Sequence, residues 1–142
     1  MKTIQKKWIN LSILYAILGL ASGVFYREFT KWNGFTGISS LRVMHVHYIV
    51  LGALMFLLLI TLEQSFGFSS QKRSGLVLAL YQIGLNWTEL LFLVRGICTV
   101  KAMNLSSAAN AAISGIAGIG HILLAIGLVW LLFLIKKSIA KA

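Results

Sequence analysis

The chain has 142 residues, of which 58% are hydrophobic and 11% charged; this balance excludes a small soluble domain, whose large surface needs more polar cover. Thirteen Lys and Arg against three Asp and Glu give a net charge of +10, but these bases stand at the ends of apolar runs, which suits anionic lipid headgroups and points to no nucleic-acid partner. One cysteine, Cys98, excludes an internal disulfide and a dithiol redox or metal site.

A bilayer core about 30 Å thick needs roughly 20 apolar residues of helix, and four stretches meet that length: 8–26, 41–62, 76–100 and 111–135. They predict an all-α integral membrane four-helix bundle forming a single transmembrane domain over residues 1–142. Short connections carrying Asn33-Gly34, Ser69-Ser70 and Ser106-Ser107 make neighbouring helices antiparallel, up-down-up-down.

The first helix carries Ser12, Tyr15, Gly19, Ser22 and Tyr26 on one face, a small and polar stripe suited to helix packing. Its basic start and the run Ala21-Ser22-Gly23 also resemble a cleaved signal peptide. A disposable segment has no need of the packing face. The second helix holds His45 and His47, about 200° apart around a regular helix, so the two cannot chelate one ion together. His45 shares its face with Tyr48, Gly52 and Met55, and His47 with Leu51, Leu54 and Leu58. The third helix aligns Gln82 and Asn86 with Glu89, and the fourth sets Ser114, Ala117, Gly118 and Ala125 on the face of His121, leaving an open slot beside the imidazole. Without proline, no span carries the commonest cause of a kink.

Eight basic residues (Lys2, Lys6, Lys7, Lys72, Arg73, Lys136, Lys137, Lys141) border one side and five (Arg27, Lys31, Arg42, Arg95, Lys101) the other, which orients both termini to the cytoplasm of a multi-pass protein in a bacterial inner membrane. Counting inward from that side, His47 is 16 residues from Glu63, Glu89 is 16 from Arg73 and His121 is 15 from Lys136. At about 1.5 Å per residue all three lie roughly 23 Å deep, in one polar layer. Ionisable groups in lipid are costly unless paired, hydrated or bound, so this layer is the candidate site.

Two imidazoles at one height, flanked by small residues, suit the axial positions of haem b: His121 with His47 or His45. Arg42, Arg95 and Arg27 are the cations for the propionates, Glu89 is a partner for a ligand N–H, and Gly52, Gly118 and Ser114 give room. Two strong axial ligands leave no open iron position, which points away from an enzyme.

The run Leu41-Arg42-Val43-Met44-His45-Val46-His47-Tyr48-Ile49-Val50-Leu51-Gly52 resembles the His-x-His-x-x-x-x-Gly helix of proteins related to the haem-copper oxidase catalytic subunit, including nitric oxide reductase-like members. The whole chain resembles a family of small four-helix bacterial membrane proteins of unknown function. The first resemblance implies that a histidine on this helix is a haem ligand. The chain departs from that superfamily in having three histidines, no adjacent histidine pair for a second metal, and far fewer helices, which argues against oxygen or nitric oxide reduction.

A redox partner or quinone, and a homo-oligomer formed through small stripes such as Gly115, Gly118 and Gly120, are the expected partners besides the bilayer. A rival reading has no cofactor: a transport, assembly or immunity factor whose His and Glu layer is a structural or proton-relay network. A third puts a transition metal on His47, His121 and Glu89.

Overall fold

The computed structural model describes residues 3–141; Lys2, counted among the bases above, lies outside them. Four helices are long and apolar enough to cross a membrane: Thr3–Trp32, Leu41–Phe66, Ser74–Val100 and Ser107–Ile139. The protein is an all-α membrane bundle whose helices alternate in direction, so the two terminal ends share one side, called here the termini side, and the opposite side is the far side.

The helices extend beyond the expected 8–26, 41–62, 76–100 and 111–135, except at Leu41 and Val100, because backbone hydrogen bonding continues past the hydrocarbon until a stop signal intervenes. The first helix runs to Trp32 and closes in a Schellman turn. Gly34 takes a left-handed φ of 59°, its N–H reaches the Lys31 carbonyl at 3.1 Å, and the Phe35 N–H reaches Thr30 at 2.9 Å. The fourth begins at Ser107 because the Ser106 hydroxyl accepts the Ala109 N–H at 3.2 Å.

Hydrophobic attraction between helices is weak in lipid, so close backbone approach and polar contacts decide which helices pair. The first helix lies along the second and the third along the fourth. These pairs join where the second helix meets the third near the far side and the fourth near the termini side. Between the third and fourth helices the approach is close enough to exclude side chains. A Cβ on Gly84 would stand 2.3 Å from the Leu124 nitrogen, and one on Gly127 would stand 2.7 Å from the Tyr81 Cα. The indole of Trp87 adds a hydrogen bond to the Ile116 carbonyl at 3.0 Å. The expected small stripe therefore divides: Gly120 packs on Trp87 and Thr88, whereas Gly115 and Gly118 border open space.

The core continues toward the termini side through Phe56, Leu59, Val77, Tyr81 and Leu131, and Trp8 stacks on Phe68 at 5.4 Å between centroids. On the first helix the packing stripe is buried at Ser12, Tyr15 and Gly19, while the Ser22 hydroxyl turns back to the Gly19 carbonyl of its own helix.

Gly84→Ala drives a methyl group into the Leu124 backbone and should cost about 1–3 kcal/mol, the usual range for overpacking. Gly115→Ala meets nothing within 4 Å and should stay within about 0.5 kcal/mol of the parent. Reversible unfolding of the two variants in mixed micelles checks the contrast.

Candidate functional site

The second helix is not α-helical throughout. Residues Leu41–His47 form α-helix, Tyr48–Leu54 form a π-helix, and Met55–Phe66 return to α-helix. The Met55 N–H reaches the Val50 carbonyl, five residues back. Such widened turns are rare, and they leave carbonyls available to other groups. The Tyr81 hydroxyl, from the third helix, donates to the Leu51 carbonyl at 2.7 Å. The Ser12 hydroxyl, from the first, donates to the Ala53 carbonyl at 2.9 Å. Between those two carbonyls Gly52 accepts the Tyr15 ring so closely that a Cβ there would stand 2.5 Å from its Cγ.

The absence of proline removes only the commonest cause of a kink, and this π turn forms without it. Faces counted along a uniform 3.6-residue helix also lose register across residues 48–54: His47 is half-buried, but Leu54 and Leu58, placed on its face, are each 53% exposed. Gly52, expected to give room to a ligand, instead seats Tyr15.

His45 and His47 diverge into different surroundings. His45 is exposed and lies against the first helix, where a Cβ on Gly23 would be 3.5 Å from its own Cβ. His47 faces the other helix pair, its ring meeting Phe92 of the third helix edge-on at 5.3 Å and 75°. His121 of the fourth helix also meets Phe92 edge-on, at 5.5 Å and 67°. Three helices thus contribute one cluster of rings, with Phe92 touching both imidazoles.

Both outer rings are oriented in the same way. His47 Nδ1 lies 3.0 Å from the Val43 carbonyl, and His121 Nδ1 lies 3.1 Å from the Ala117 carbonyl. A carbonyl only accepts, so each Nδ1 carries the proton, and each Nε2 keeps a lone pair free for a proton or a metal. A ligating histidine is commonly fixed through its other nitrogen in this way. Phe92 was not singled out from the sequence, although it stands three residues after Glu89 and so shares its helix face.

Glu89 lies one turn from Phe92 and is fully buried, at 0% exposure. Neither of its carboxylate oxygens has a hydrogen-bond partner, nor has the neighbouring Thr88 Oγ1. The Tyr48 side chain is within its electrostatic reach. Glu89 makes no hydrogen bond to a histidine ring, because both Nδ1 protons are taken by carbonyls. Among the described residues no group of three or more His, Cys, Asp or Glu gathers to hold a metal. His47 and His121, the two histidines of the expected three-ligand arrangement with Glu89, instead each meet Phe92 edge-on.

The remaining candidates are distributed as follows. Arg27 pairs with its neighbour Glu28. Arg95 bonds Asn110 through its side-chain oxygen at 3.1 Å and its carbonyl at 3.3 Å, and also reaches the Ser114 hydroxyl, so Arg95 and Ser114 latch the third helix to the fourth. Arg42 is exposed near the start of the second helix. Gly118, with nothing within 4 Å of a Cβ, leaves the face beside His121 open. The aligned Asn86 is used in packing: its amide donates to the Tyr15 hydroxyl at 2.8 Å and to the Gln82 carbonyl at 2.8 Å.

Four apolar spans around a layer of histidine and buried carboxyl define a multi-pass helical membrane protein. The chain belongs to the family described as "Protein of unknown function (DUF2871)", which it matches over residues 5–138. No curated protein and no solved structure matches it. The likeness of residues 41–52 to the haem-copper oxidase helix rests on that short segment alone.

Removing the Tyr81 hydroxyl leaves the Leu51 carbonyl with one partner fewer in an apolar setting. Tyr81→Phe should therefore cost about 0.5–2 kcal/mol, the range for interhelical hydrogen bonds in membranes. Ser12→Ala should do the same at Ala53. Unfolding of each variant in micelles, compared with the parent, provides the measurement.

Proposed function

We propose that this protein holds a b-type haem between its second and fourth helices, with His47 and His121 as axial ligands. The observation that carries the reading is the pair of imidazoles from two helices, each tied through Nδ1 to its own helix and each meeting the one Phe92 ring edge-on. That donor set suits haem iron. Phe92 stands steeply to both imidazoles and touches each of them. Admission of haem therefore requires Phe92, which is only half-buried, to swing aside. The open face at Gly118 gives the flat group its approach, and the exposed Arg42 is the cation free for a propionate.

Bound haem supplies one-electron exchange, and its surroundings set the potential. The role is electron transfer, haem handling or sensing in a bacterial cytoplasmic membrane, with both termini on the cytoplasmic side and a redox protein or quinone as partner. The open stripe of Gly115 and Gly118 suits self-association.

A second reading is favoured by Glu89. A buried carboxyl with two unpartnered oxygens inside a membrane is the kind of group that carries protons, and this reading needs no cofactor.

A reduced-minus-oxidised spectrum of the protein purified from haem-replete cells tests both. The haem reading expects Soret and α bands in the parent, their loss in His47→Ala and in His121→Ala, and their retention in His45→Ala. A colourless parent protein overturns it. Glu89→Gln should leave the bands in place, whereas it should abolish proton movement measured in vesicles under the second reading.

A further inference from the structure

Away from the histidine layer, the termini side carries a groove of about 800 Å³ between the connection that follows the second helix and the end of the fourth. Four cations line it: Lys72 and Arg73 from the connection, Lys137 and Lys141 from the fourth helix. Among the described residues no Asp or Glu does. The nearest acid along the chain, Glu63, is buried and committed, accepting the Ser69 N–H at 2.9 Å and the Ser69 hydroxyl at 2.7 Å. Four like charges converging without a counter-ion repel one another, and an anion removes that cost.

The groove is built, not an accident of side-chain position. Gln71 pins the connection to the fourth helix, donating to the Leu134 carbonyl at 2.6 Å and to the Ser138 hydroxyl. The Ser74 hydroxyl closes the same connection onto the Ser69 carbonyl at 2.6 Å. Arg73 adopts a left-handed φ of 74°, a conformation that costs a side-chain-bearing residue energy. It also stands at the N-terminus of the third helix, which no side chain caps. Helix N-termini favour negative charge, so two cations there are misplaced unless an anion joins them.

The wall facing the bilayer is apolar. Trp130 and Phe133 line the groove, and shallow hollows continue along the fourth helix past Val129 and Ile126. A free phosphate has no use for that wall, whereas an acyl chain does. We propose that this groove is a binding site for an anionic phospholipid, with the headgroup phosphate among Lys72, Arg73, Lys137 and Lys141 and an acyl chain along Trp130 and Phe133. Basic pockets between membrane helices bind such headgroups. The assignment does not depend on haem.

Native mass spectrometry of the full chain, released from nanodiscs containing phosphatidylcholine and phosphatidylglycerol in equal amounts, tests the proposal. The expected result is retention of phosphatidylglycerol over phosphatidylcholine, weakened about fivefold for each charge removed in Lys137→Gln and Lys141→Gln. Lys72→Gln, in the exposed connection, is a second variant independent of the fourth helix. Lys6→Gln, a charge near the same membrane surface but outside the groove, should retain the lipid as the parent does. Equal retention of the two lipids, equal loss in Lys6→Gln, or displacement of the lipid by inorganic phosphate at the same concentration would each overturn it.

Discussion

Inside a bilayer a backbone carbonyl has no water to turn to, and this bundle is organised around two carbonyls that the second helix offers its neighbours. The π turn at Tyr48–Leu54 frees Leu51 for the Tyr81 hydroxyl and Ala53 for the Ser12 hydroxyl. Because the donors come from the third and first helices, a single turn fixes three helices at one level. Gly52 lies between the two carbonyls and lets the Tyr15 ring press onto the backbone there. Tyr15 in turn accepts from Asn86 and stacks on Tyr48 at 5.9 Å and Phe56 at 5.8 Å. Polar and aromatic contacts thus converge on the turn that a regular helix would lack.

That turn starts one residue after His47, whose ring is tied back to the Val43 carbonyl of the α-helical turn before it. The other half of the ring cluster is held by different means. Gly84, Gly120 and Gly127 bring the third and fourth helices together, and Trp87 and Arg95 hold their relative height through Ile116, Asn110 and Ser114. Phe92 and His121 meet because of that seam. Phe92 thus joins a histidine of the first pair of helices to one held by the glycine packing of the second.

Much of the architecture was legible in the sequence, since four apolar runs of sufficient length and short polar connections leave few alternatives. Helix ends were not legible to the residue, because hydropathy marks the bilayer whereas the Schellman turn at Gly34 and the Ser106 cap mark the helix. The π turn had no local signal. Gly52 was visible, but its use depends on Tyr15, 37 positions earlier in the chain. The same limit applied to the site: spacing along one helix separates His45 from His47, yet only tertiary packing reveals that one meets Gly23 and the other Phe92. Arg95 and Ser114 were read as cation and open slot, and each is occupied by the other. Spacing shows which residues share a face, but not which partner occupies it.

The distribution of unsatisfied polar groups argues for a site and against simple packing. Elsewhere in the bundle several polar side chains bond to a neighbouring helix: Ser12 at Ala53, Tyr81 at Leu51, Asn86 at Tyr15, Trp87 at Ile116. Among the described residues, the buried side-chain oxygens left without a partner are those of Thr88 and Glu89. They stand within one turn of Phe92, the ring that meets both imidazoles. Packing alone would have filled these positions with apolar residues, since an unmade hydrogen bond in a buried setting costs about 1–3 kcal/mol. Thr88 and Glu89 are adjacent on the third helix, so the unmet polar cost of the buried core is gathered at one level beside Phe92.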